Sequence, residues 1–559
     1  MSNYTDLISR LNKKTGPMNL SEIIELLEEQ TLPAGALAPG TVERGVAEEL
    51  KDLGVPVTRF GAIAGGSAAT NNAAFQAAAN EGIPILVPPG TFNLTAEINV
   101  TEPGTAFIGK HRRASKIISS YPFIFRLREG ANDFAASRLH LESTDDTAID
   151  LFYGLIRVVN ESVDGIHISQ CYFTAPDANT NAFGLYADKP DGTNLIQNIW
   201  FLDNIVENMG NSGMCFQNHI LDDPAWRIRN FWIERNLFRN MGQTSSLYGM
   251  IGTYTGRMAN GWVRNNIGDN LLGIGLEMAS GNYNVHFIGN CFRNITRRGY
   301  GSTTNPISIS SSSTPKVAHY ACSVVGNYSE AGHVVTGGLF FGNMERLVLS
   351  DNSFDLEDSV VIRDCNDTSG SNNKFRCRLP SKGLVFEGTS GASCKRNRFL
   401  ETIVDMTDRA SSVAAVVSFE GTAGSCDGNL LRGGRLLRPV SAGITATTND
   451  AANSRNVIEE MGNDFELYAD RIKIVTLPDA DSSIGLYEAQ YRHIRLIGTL
   501  TATRGVVVPR EWRGIIHNNT TGGQSVSVAP AGGTGLTITN GARKIVQTRT
   551  ADTLDATPA

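Results

Sequence analysis

The sequence lacks the short motifs that identify most metal-dependent and nucleotide-dependent enzymes. It contains no HExxH motif and no GxxxxGK[ST] loop, and none of its eight cysteines forms a CxxC pair. These absences argue against zincin-type peptidases, P-loop proteins and CxxC zinc sites. We therefore predict no cofactor and no metal site, although a calcium site built from scattered carboxylates would leave no such motif.

The cysteines are few and widely spaced. Several of them fall at inward positions of predicted strands, so we predict that they are reduced and buried and serve as small apolar residues, in preference to disulfides. They are Cys171, Cys215, Cys291, Cys322, Cys365, Cys377, Cys394 and Cys426.

The sequence also lacks an excess of positive charge and any long apolar run. Its net charge is −7 and its basic residues are scattered, which argues against a nucleic-acid partner. No apolar run approaches the length of a membrane span, and the opening MSNYTDLISRLNKK does not have the pattern of a signal peptide. If the protein acts outside a cell, we expect it to leave by a route other than ordinary secretion.

What the sequence has in abundance is glycine, 57 residues in 559, and one repeated phrase between about Ile199 and Arg432. In each copy apolar and polar residues alternate, an Asn follows, and an apolar residue usually stands two places later. The Asn residues are separated by 32, 30, 24, 37, 25, 21, 24 and 32 positions. A period in the twenties that lengthens irregularly is typical of a solenoid with inserted loops. The marker residues are Asn204, Asn236, Asn266, Asn290, Asn327, Asn352, Asn373, Asn397 and Asn429.

Two apolar columns, two places after the Asn and three places before it, indicate the kind of solenoid. The residues between them are mostly polar, which is the period of two expected for strands. Stacked coils would place apolar ladders inside and Asn ladders at the turns, since Asn tolerates a left-handed backbone and its amide can bond its neighbour. We predict an all-β parallel β-helix. The columns are Val206, Phe238, Phe292, Phe354, Phe375, Phe399 and Leu431, and Phe201, Ile233, Val263, Phe287, Val324, Leu349, Cys394 and Cys426.

The first 55 residues have a different pattern. Apolar residues share one helical face in each of two segments that are joined by the linker TLPAGALAPG. Short amphipathic helices cannot form a core alone, so we predict that residues 1–55 self-associate or dock on a partner. The alternative is that they pack on their own β-domain. The two faces are Leu20, Ile23, Ile24 and Leu27, and Val42, Val46, Leu50 and Leu53.

Residues 58–94 resemble the opening of pectate-lyase-like, right-handed parallel β-helices, especially those of phage tailspikes. A Phe-Gly-Ala turn, a Gly-rich loop, an Ala-rich helix and the strand ending VPPGTF carry the resemblance. It implies a capping helix near residues 70–80, with Thr70 as N-cap and Ala73–Ala79 over the open end, because the first coil exposes an edge and a core. Asn71 and Asn72 stand where acidic residues are common in the family, and we expect structural roles for them.

The predicted β-helix occupies residues 56–465, and the sequence pattern changes in residues 466–559. Short strands there alternate with Gly-rich turns. Trp512, Asn518 and the GGTG at 532–535 make this part similar to the small β-domains that end some phage tailspikes. That resemblance implies a role in trimer assembly or sugar binding.

Together the two resemblances imply a phage tailspike that binds and depolymerises a bacterial surface polysaccharide, such as a capsule, an exopolysaccharide or an O-antigen. The implied assembly is a homotrimer of the virion tail, attached to a tail or baseplate protein through residues 1–55, with no nucleic-acid or membrane partner. Hydrolysis by two carboxylates is the favoured chemistry. A polysaccharide lyase and a receptor-binding spike without catalysis are the alternatives.

Two outward columns of the repeat are unusual. Four places before the Asn stand Trp200, Trp232, Trp262 and then His286, which predicts either a sugar-stacking platform or a surface covered by another subunit or loop. Three places after the Asn, charges of opposite sign mostly alternate, which predicts a salt-bridged ladder and weakens Glu207 and Asp269 as catalytic candidates. The charged column is Glu207, Arg239, Asp269, Arg293, Glu330, Asp355 and Arg376.

Glu277 is our preferred catalytic residue. It is predicted to point outward from the strand GIGLEMAS, with the uncharged Gln217 and Thr253 in the same column of the preceding coils. Asp222 and Asp223, in a predicted inserted loop, are the candidates for the second carboxylate. Aromatic, basic and His residues in the loops predict a glycan-binding wall, although such loops are also ordinary solvated surface. The predicted substrate-binding residues are Trp226, His219, Tyr248, Tyr254, Arg257, Arg298 and Tyr300.

Overall fold

The computed structural model describes most of the chain from Gly54 onward. The described residues are 54–145, 153–175, 182–189, 194–218, 226–242, 248–253, 258–279, 281–296, 305–310, 318–331, 333, 335, 337–378, 382–389, 392–406, 415–421, 425–437, 447–448, 456–459, 462–463, 473–484, 493–510, 512–549 and 552–556. The predicted helices in residues 1–53 lie outside this part. The chain forms two compact units, Met1–Val348 and Leu349–Ala559.

The first unit is built from parallel strands in three stacks, and each complete coil contributes one strand to each stack. The first stack, before the Asn turn, contains Val55–Pro56, Pro84–Val87, Ala106–Gly109, Phe134–Ser137, Val163–Ser169, Ile196–Leu202, Ile228–Glu234, Met258–Arg264, Tyr283–Ile288, His319–Tyr320, Ser323–Val325, Met344–Glu345 and the strand Val348–Ser350, which begins at the last residue of the unit. The second stack, after the turn, contains Gly90–Leu94, Ser115–Ser119, His140–Ser143, Tyr172–Thr174, Ile205–Glu207, Leu237–Met241, Ile267–Leu271, Cys291–Ile295 and Tyr328–Ser329. The third stack contains Ile98–Val100, Phe125–Leu127, Tyr153–Val159, Ala182–Lys189, Met214–Asn218, Tyr248–Thr253, Ile274–Ala279, Ile307–Ser310 and Leu339–Gly342.

This architecture is a right-handed parallel β-helix, and the predicted fold class is confirmed. The inward columns follow from alternation: Phe201 and Ile233 are in register on neighbouring strands, and both are fully buried. Val206 and Phe238 are likewise in register and fully buried on the strands after the turn. The core is therefore a set of apolar ladders that run along the helix axis.

The marker asparagines of the first unit form a continuous amide ladder. The Nδ2 of Asn204 donates to Oδ1 of Asn236 at 3.1 Å, and the same bond links Asn236 to Asn266 at 2.9 Å and Asn266 to Asn290 at 3.0 Å. Asn290 donates in turn to Asn327 at 2.8 Å. Each side-chain oxygen also accepts a backbone N–H, so the buried turn is fully paired.

The reason predicted for Asn at the turn is partly wrong. The left-handed residue is the one before the marker, with φ of 57° at Asp203, 54° at Arg235 and 57° at Asn265. The buried Asn is required for its amide and not for its backbone. Cys171 replaces Asn in the first coil of this column, and its backbone N–H still donates to Asn204 Oδ1 at 2.9 Å.

The structure contains a second Asn ladder that the sequence analysis did not predict. It stands six residues before the marker at Asn198, Asn230, Asn260 and Asn284, all with φ between 53° and 57°. Their amides are bonded from coil to coil at 2.9–3.2 Å. The constant offset of six residues is visible in the sequence and could have identified this ladder.

A single α-helix, α1, is described, and it spans Ala68–Ala79; a 3-10 turn precedes it at Val57–Phe60. The predicted N-cap at Thr70 is wrong: Ser67 is the cap, and its hydroxyl accepts the Thr70 backbone N–H at 3.2 Å. The helix starts earlier than predicted because Ser67 supplies that acceptor. Phe75 of α1 stacks on Phe107 with ring centroids 5.8 Å apart, so the helix covers the open core as predicted.

The two asparagines of α1 have structural roles. Asn71 is fully buried and accepts the Ile63 N–H at 2.8 Å, and Asn72 accepts the Thr95 N–H at 2.7 Å. A neutral amide serves at Asn72 because the same side chain accepts the Thr95 N–H and donates to the Ala96 carbonyl at 2.7 Å.

The second unit continues with parallel strands before its C-terminal part. They are Ser353–Leu356, Val360–Arg363, Ser369–Ser371, Lys374–Cys377, Lys382–Gly388, Cys394–Lys395, Arg398–Asp405, Ala415–Gly421, Cys426–Asp427, Leu430–Leu437, Thr447–Thr448, Val457–Glu459 and Gly462–Asn463.

The predicted single Asn column is wrong in this unit. Asn352 is bonded to Asn373 at 2.9 Å, whereas Asn397 accepts from the Thr368 backbone N–H and therefore stacks over Thr368. Phe399 accordingly lies beside Gly370, and Phe375 lies beside Val404. A coil here contains two similar turns, and the repeated phrase does not say which of them the next coil covers.

The last strands of the second unit pair among themselves and enclose a core of their own. They are Lys473–Thr476, Ser482–Ser483, His493–Ile497, Arg504–Val508, Arg513–Asn518, Val526–Pro530, Leu536–Ile538, Arg543–Thr548 and Thr553–Asp555. Early pairs are parallel and the last are antiparallel. Trp512 and Ile516 lie in this core, and the fully buried Asn518 donates its amide to the Ile538 carbonyl at 3.0 Å.

The eight cysteines are buried and unpaired, as predicted. Burial raises the pKa of Cys171 and of Cys322 to about 12, so neither thiol is a nucleophile near neutral pH. In the part of the chain that the structure describes, no helix is both long enough and apolar enough to cross a membrane.

Candidate functional site

Of the predicted site residues, Glu277 and Trp226 are described fully, and Tyr248 is described in its backbone only, in the strand Tyr248–Thr253. The others lie outside the described residues. These are Asp222, Asp223, His219, Tyr254, Arg257, Arg298 and Tyr300.

Glu277 points outward from the third stack and is half-buried, as its place in the alternation predicts. Its predicted neighbours are wrong. Ile251 pairs with Leu276 and Cys215 pairs with Gly252, so the column of Glu277 passes through Gly252 and Cys215. The strands Tyr248–Thr253 and Ile274–Ala279 also have a register irregularity between Tyr248 and Ile251, so alternation along one strand does not determine which residues are neighbours across coils.

A buried polar group lies on the same outer face, in the coils just before Glu277. The Tyr186 hydroxyl is 2.8 Å from Oδ2 of Asp188 and 2.7 Å from Oε1 of Gln217. The three side chains are only 4%, 8% and 3% exposed. Polar side chains on the outside of a β-helix are normally solvated, so their burial indicates a covered surface.

The thiol of Cys215 is influenced by the charges of both Asp188 and Glu277. It is fully buried on the strand next to that of Asp188, with Tyr186 and Gly252 as its register neighbours. Burial raises the pKa of the Cys215 thiol well above its ordinary value, and the negative charges of Asp188 and Glu277 raise it further. Both carboxylates therefore act on one poorly solvated region of the third stack.

Trp226 lies beside the coil that carries Glu277. Its Nε1 donates to the carbonyl of Gly281 at 3.1 Å, four residues after Glu277, and its ring packs on Tyr283 at 5.2 Å between centroids. Trp226 is 38% exposed and Tyr283 is 40% exposed. Tyr320 is in register with Tyr283 and equally exposed. The three rings form an exposed aromatic surface that includes one predicted substrate-binding residue and two that the sequence did not single out.

The outward tryptophan column forms a stack of five rings. His167 and Trp200 are 4.1 Å apart, Trp200 and Trp232 are 5.0 Å apart, and Trp232 and Trp262 are 5.4 Å apart, with interplanar angles of 6–8°. His286 completes the stack. Because each ring turns a face towards the next, a sugar cannot lie flat on the inner members. The geometry favours the alternative in which another subunit or a loop covers the column.

The predicted salt-bridged ladder is present on both sides of Asp269, which itself lies within 4 Å of no basic side chain among the described residues. Arg239 binds Glu207 at 2.8 Å and Arg293 binds Glu330 at 2.6 Å, with Asp269 in register between the two arginines. Asp269 also accepts a hydrogen bond from Asn294 at 3.3 Å. In the second unit, Arg376 lies 3.8 Å from Asp355. These carboxylates are held by structural partners.

Asp188 and Tyr186 were missed because nothing local distinguishes them. The segment AFGLYADK alternates like any other strand, and burial of its outward residues depends on what covers them. One signal was available: an outward Tyr and an outward Asp stand two places apart on a strand of the same stack as Glu277. No group of three or more His, Cys, Asp or Glu side chains in the described ranges is placed to hold a metal ion.

Comparison with known proteins identifies the fold and no family. No protein-family model matches the chain, and no curated protein matches it. The A-module of mannuronan C-5 epimerase AlgE6 from Azotobacter vinelandii is similar, with a TM-score of 0.51 and 11% identity over 73% of this chain and 99% of that one. This likeness shows a shared parallel β-helix.

Two further solved structures resemble the chain with lower scores. The catalytic unit of a GH87 α-1,3-glucanase from Streptomyces thermodiastaticus has a TM-score of 0.48 and 15% identity, over 76% of this chain and 72% of that one. Tailspike protein 3 of bacteriophage CBA120 has a TM-score of 0.43 and 11% identity, over 88% of this chain and 65% of that one.

Proposed function

We propose that this chain is a phage tailspike that binds a bacterial surface polysaccharide and cleaves it by hydrolysis on the outer face of the third stack. The observation that carries the proposal is the half-buried carboxylate of Glu277, which points outward from a strand of the third stack four residues before Gly281, the residue that the exposed Trp226 binds. A half-buried carboxyl on a rigid strand suits a general acid, and an exposed aromatic surface on the same coil suits the stacking of a sugar ring. The similar A-module is a mannuronan epimerase, and the proposal extends that class of substrate, a polysaccharide, to this chain.

Glu277 is the general acid in this proposal, and Asp222 or Asp223 supplies the second carboxylate. Glycoside hydrolysis needs two carboxyl groups about 5–9.5 Å apart across the scissile bond. Asp188 is too distant for that role, because its strand lies three strand spacings from that of Glu277, about 14 Å along the axis. Asp188, Tyr186 and Gln217 instead form a polar set that suits binding of sugar hydroxyls farther along the same face.

The remaining predicted residues belong to the same proposal as a glycan-binding wall around Trp226 and Tyr283. They are His219, Tyr248, Tyr254, Arg257, Arg298 and Tyr300.

The proposed assembly is a homotrimer in the virion tail, with residues 1–55 attached to a tail or baseplate protein. The half-exposed stack of Trp200, Trp232 and Trp262 supports a subunit contact, since an apolar ladder of this length is unfavourable in water. Light scattering of the full chain at micromolar concentration should give three subunits. A stable monomer under those conditions would contradict this part of the proposal.

Glu277→Gln tests the catalytic assignment. The near-isosteric change should leave folding and cell binding intact and reduce turnover at least about a hundredfold, the usual size of a general acid–base contribution. Glu207→Gln is the matched control, because this Glu is also outward on a strand but is paired with Arg239. Turnover is read as new reducing ends on capsule or O-antigen from a strain panel.

The same assay distinguishes the alternatives. Absorbance of an unsaturated uronate that rises with the reducing ends would indicate a lyase, which breaks the bond by elimination. Cell binding without new reducing ends on any strain would indicate a receptor-binding spike. Wild-type turnover in Glu277→Gln would remove Glu277 from the mechanism.

A further inference from the structure

A groove of about 670 Å³ opens at the turn between the first and second stacks, away from the outer face of the third. Most of the turn is made by single left-handed residues on consecutive coils, with φ of 56° at Arg138, 55° at Gln170 and 57° at Asp203. One coil earlier, a loop that contains His111 and Arg112 replaces this tight turn. The loop leans along the helix axis and forms one wall of the groove.

Arg112 is held in place by a backbone oxygen. Its Nη1 donates to the carbonyl of Asp203 at 3.2 Å, 91 residues farther along the chain. The contact crosses the two intervening coils that carry Arg138 and Gln170. A carbonyl orients the guanidinium without neutralising its charge.

The acidic residue of the groove is already neutralised. Arg235 binds the Asp203 carboxylate through Nε at 2.7 Å and Nη2 at 2.9 Å. This hydrogen bonding lowers the pKa of Asp203, and the charges of Arg235 and Arg112 act in the same direction. A two-pronged pair of this kind is stable and leaves little negative charge to compensate the other cations.

Two other guanidinium groups line the groove. Among the described residues, no carboxylate lies within ion-pair distance of Arg112 or Arg138. The chain carries a net charge of −7, so a local excess of positive charge is not a general property of its surface. Like charges that line one groove repel each other, and a bound anion would reduce that repulsion.

We propose that this groove binds an anionic saccharide, with Arg112 and Arg138 on its carboxylate or sulfate group. The remaining lining residues favour a sugar as the molecule that carries the anionic group. Ile205 and Leu237 provide an apolar floor for the carbon face of a pyranose ring, and the Gln170 amide can pair with hydroxyls. An open groove on a rigid corner suits a chain that enters and leaves at both ends.

The groove lies on another part of the coil from Glu277 and contains no proposed catalytic residue. It is a binding subsite for acidic glycans, and it does not depend on the proposed hydrolysis. If both proposals hold, the glycan is an acidic one, held on one face and cleaved on another.

Isothermal titration of the full chain tests the inference. The probes are a galacturonate oligosaccharide, a sulfated dextran oligosaccharide of similar length, an unsubstituted dextran oligosaccharide and inorganic phosphate. At least one acidic oligosaccharide should bind about tenfold or more tightly than the neutral one, with affinity that falls as salt rises. The better of the two identifies the anionic group. Equal binding of the neutral oligosaccharide, or phosphate binding as tightly as the acidic sugars, would overturn the assignment.

The paired change Arg112→Gln and Arg138→Gln should weaken the preferred acidic oligosaccharide at least tenfold. The control Arg59→Gln and Arg346→Gln removes the same charge from two exposed arginines outside the groove, and Arg346 shares the left-handed backbone of Arg138. Control affinity should equal that of the wild type. Wild-type affinity in the groove variant, with the fold verified by circular dichroism, would refute the subsite. Loss of turnover in Glu277→Gln with binding retained there would show that the two sites are separate.

Discussion

The Tyr186 hydroxyl lies between two oxygens that it cannot satisfy together, Oδ2 of Asp188 at 2.8 Å and Oε1 of Gln217 at 2.7 Å. A phenol has one hydrogen, so it donates to one of these oxygens at a time. The hydroxyl therefore links the side chains of two neighbouring strands of the third stack, Ala182–Lys189 and Met214–Asn218.

Tyr186→Phe should therefore destabilise the protein by about 1–3 kcal/mol, because it leaves two buried polar groups without the shared hydroxyl. Asp188→Asn provides the second arm of a double-mutant cycle. We expect a coupling of about 0.5–3 kcal/mol between the two changes, measured by urea unfolding. Additive effects would show that the 2.8 Å contact contributes little.

Phe354→Ala should destabilise the second unit by about 3–5 kcal/mol, because the ring is 2% exposed and in register with Phe375. The expected phenotype is a low yield of folded protein with unchanged specific activity. Thermal unfolding of Ser353→Ala, at the exposed neighbouring position, is the control. An unchanged melting temperature in Phe354→Ala would contradict the inward placement.

Asp269→Asn should retain most activity and lose at most about 1 kcal/mol of stability, because Asp269 is held by a 3.3 Å hydrogen bond from Asn294 and charges near the surface contribute little. Its register neighbours Arg239 and Arg293 each keep another acidic partner, Glu207 and Glu330. Activity and melting temperature are measured on the same preparation. A loss of several orders of magnitude in turnover with intact folding would assign Asp269 to the active site.

His319 should make the protein sensitive to acid. Its side chain is fully buried, and burial lowers the pKa of His319 to about 4. Its Nδ1 accepts from the Asn282 backbone N–H at 3.3 Å. Between about pH 6.5 and pH 4 the unfolded chain binds a proton that the folded chain does not, so stability falls as the pH falls through this window and then levels off.

The expected contribution is about 3 kcal/mol over that window, from a shift between the ordinary value and about 4. His319→Asn, which keeps an acceptor, should flatten the pH dependence of urea unfolding by this amount. Thr58→Ala, at an exposed position without a titrating side chain, is the control and should leave the profile unchanged. Parallel profiles for wild type and His319→Asn would show that His319 does not carry the effect.

Much of the fold was predictable because it depends on local alternation. Phe354 and Phe375 point inward because polar residues flank them on both sides, and the marker Asn residues recur because each turn buries a backbone N–H that the Asn side chain of the next coil accepts. The same alternation placed Glu277 outward and the tryptophans in one column. Each of these conclusions follows from the alternation within one strand and from the repeat, without knowledge of how the coils stack.

Tertiary structure alone decided which coil covers which turn and which outward residues are covered. Asn397 stacks over Thr368 and not over Asn373, and the pairing of the strands places Cys215, not Gln217, in the column of Glu277. The groove depends on Arg112 reaching Asp203, 91 residues away. Alternation specifies the side on which a residue lies, but stacking register and loop reach are set by packing between coils, whose separation in sequence varies with every insertion.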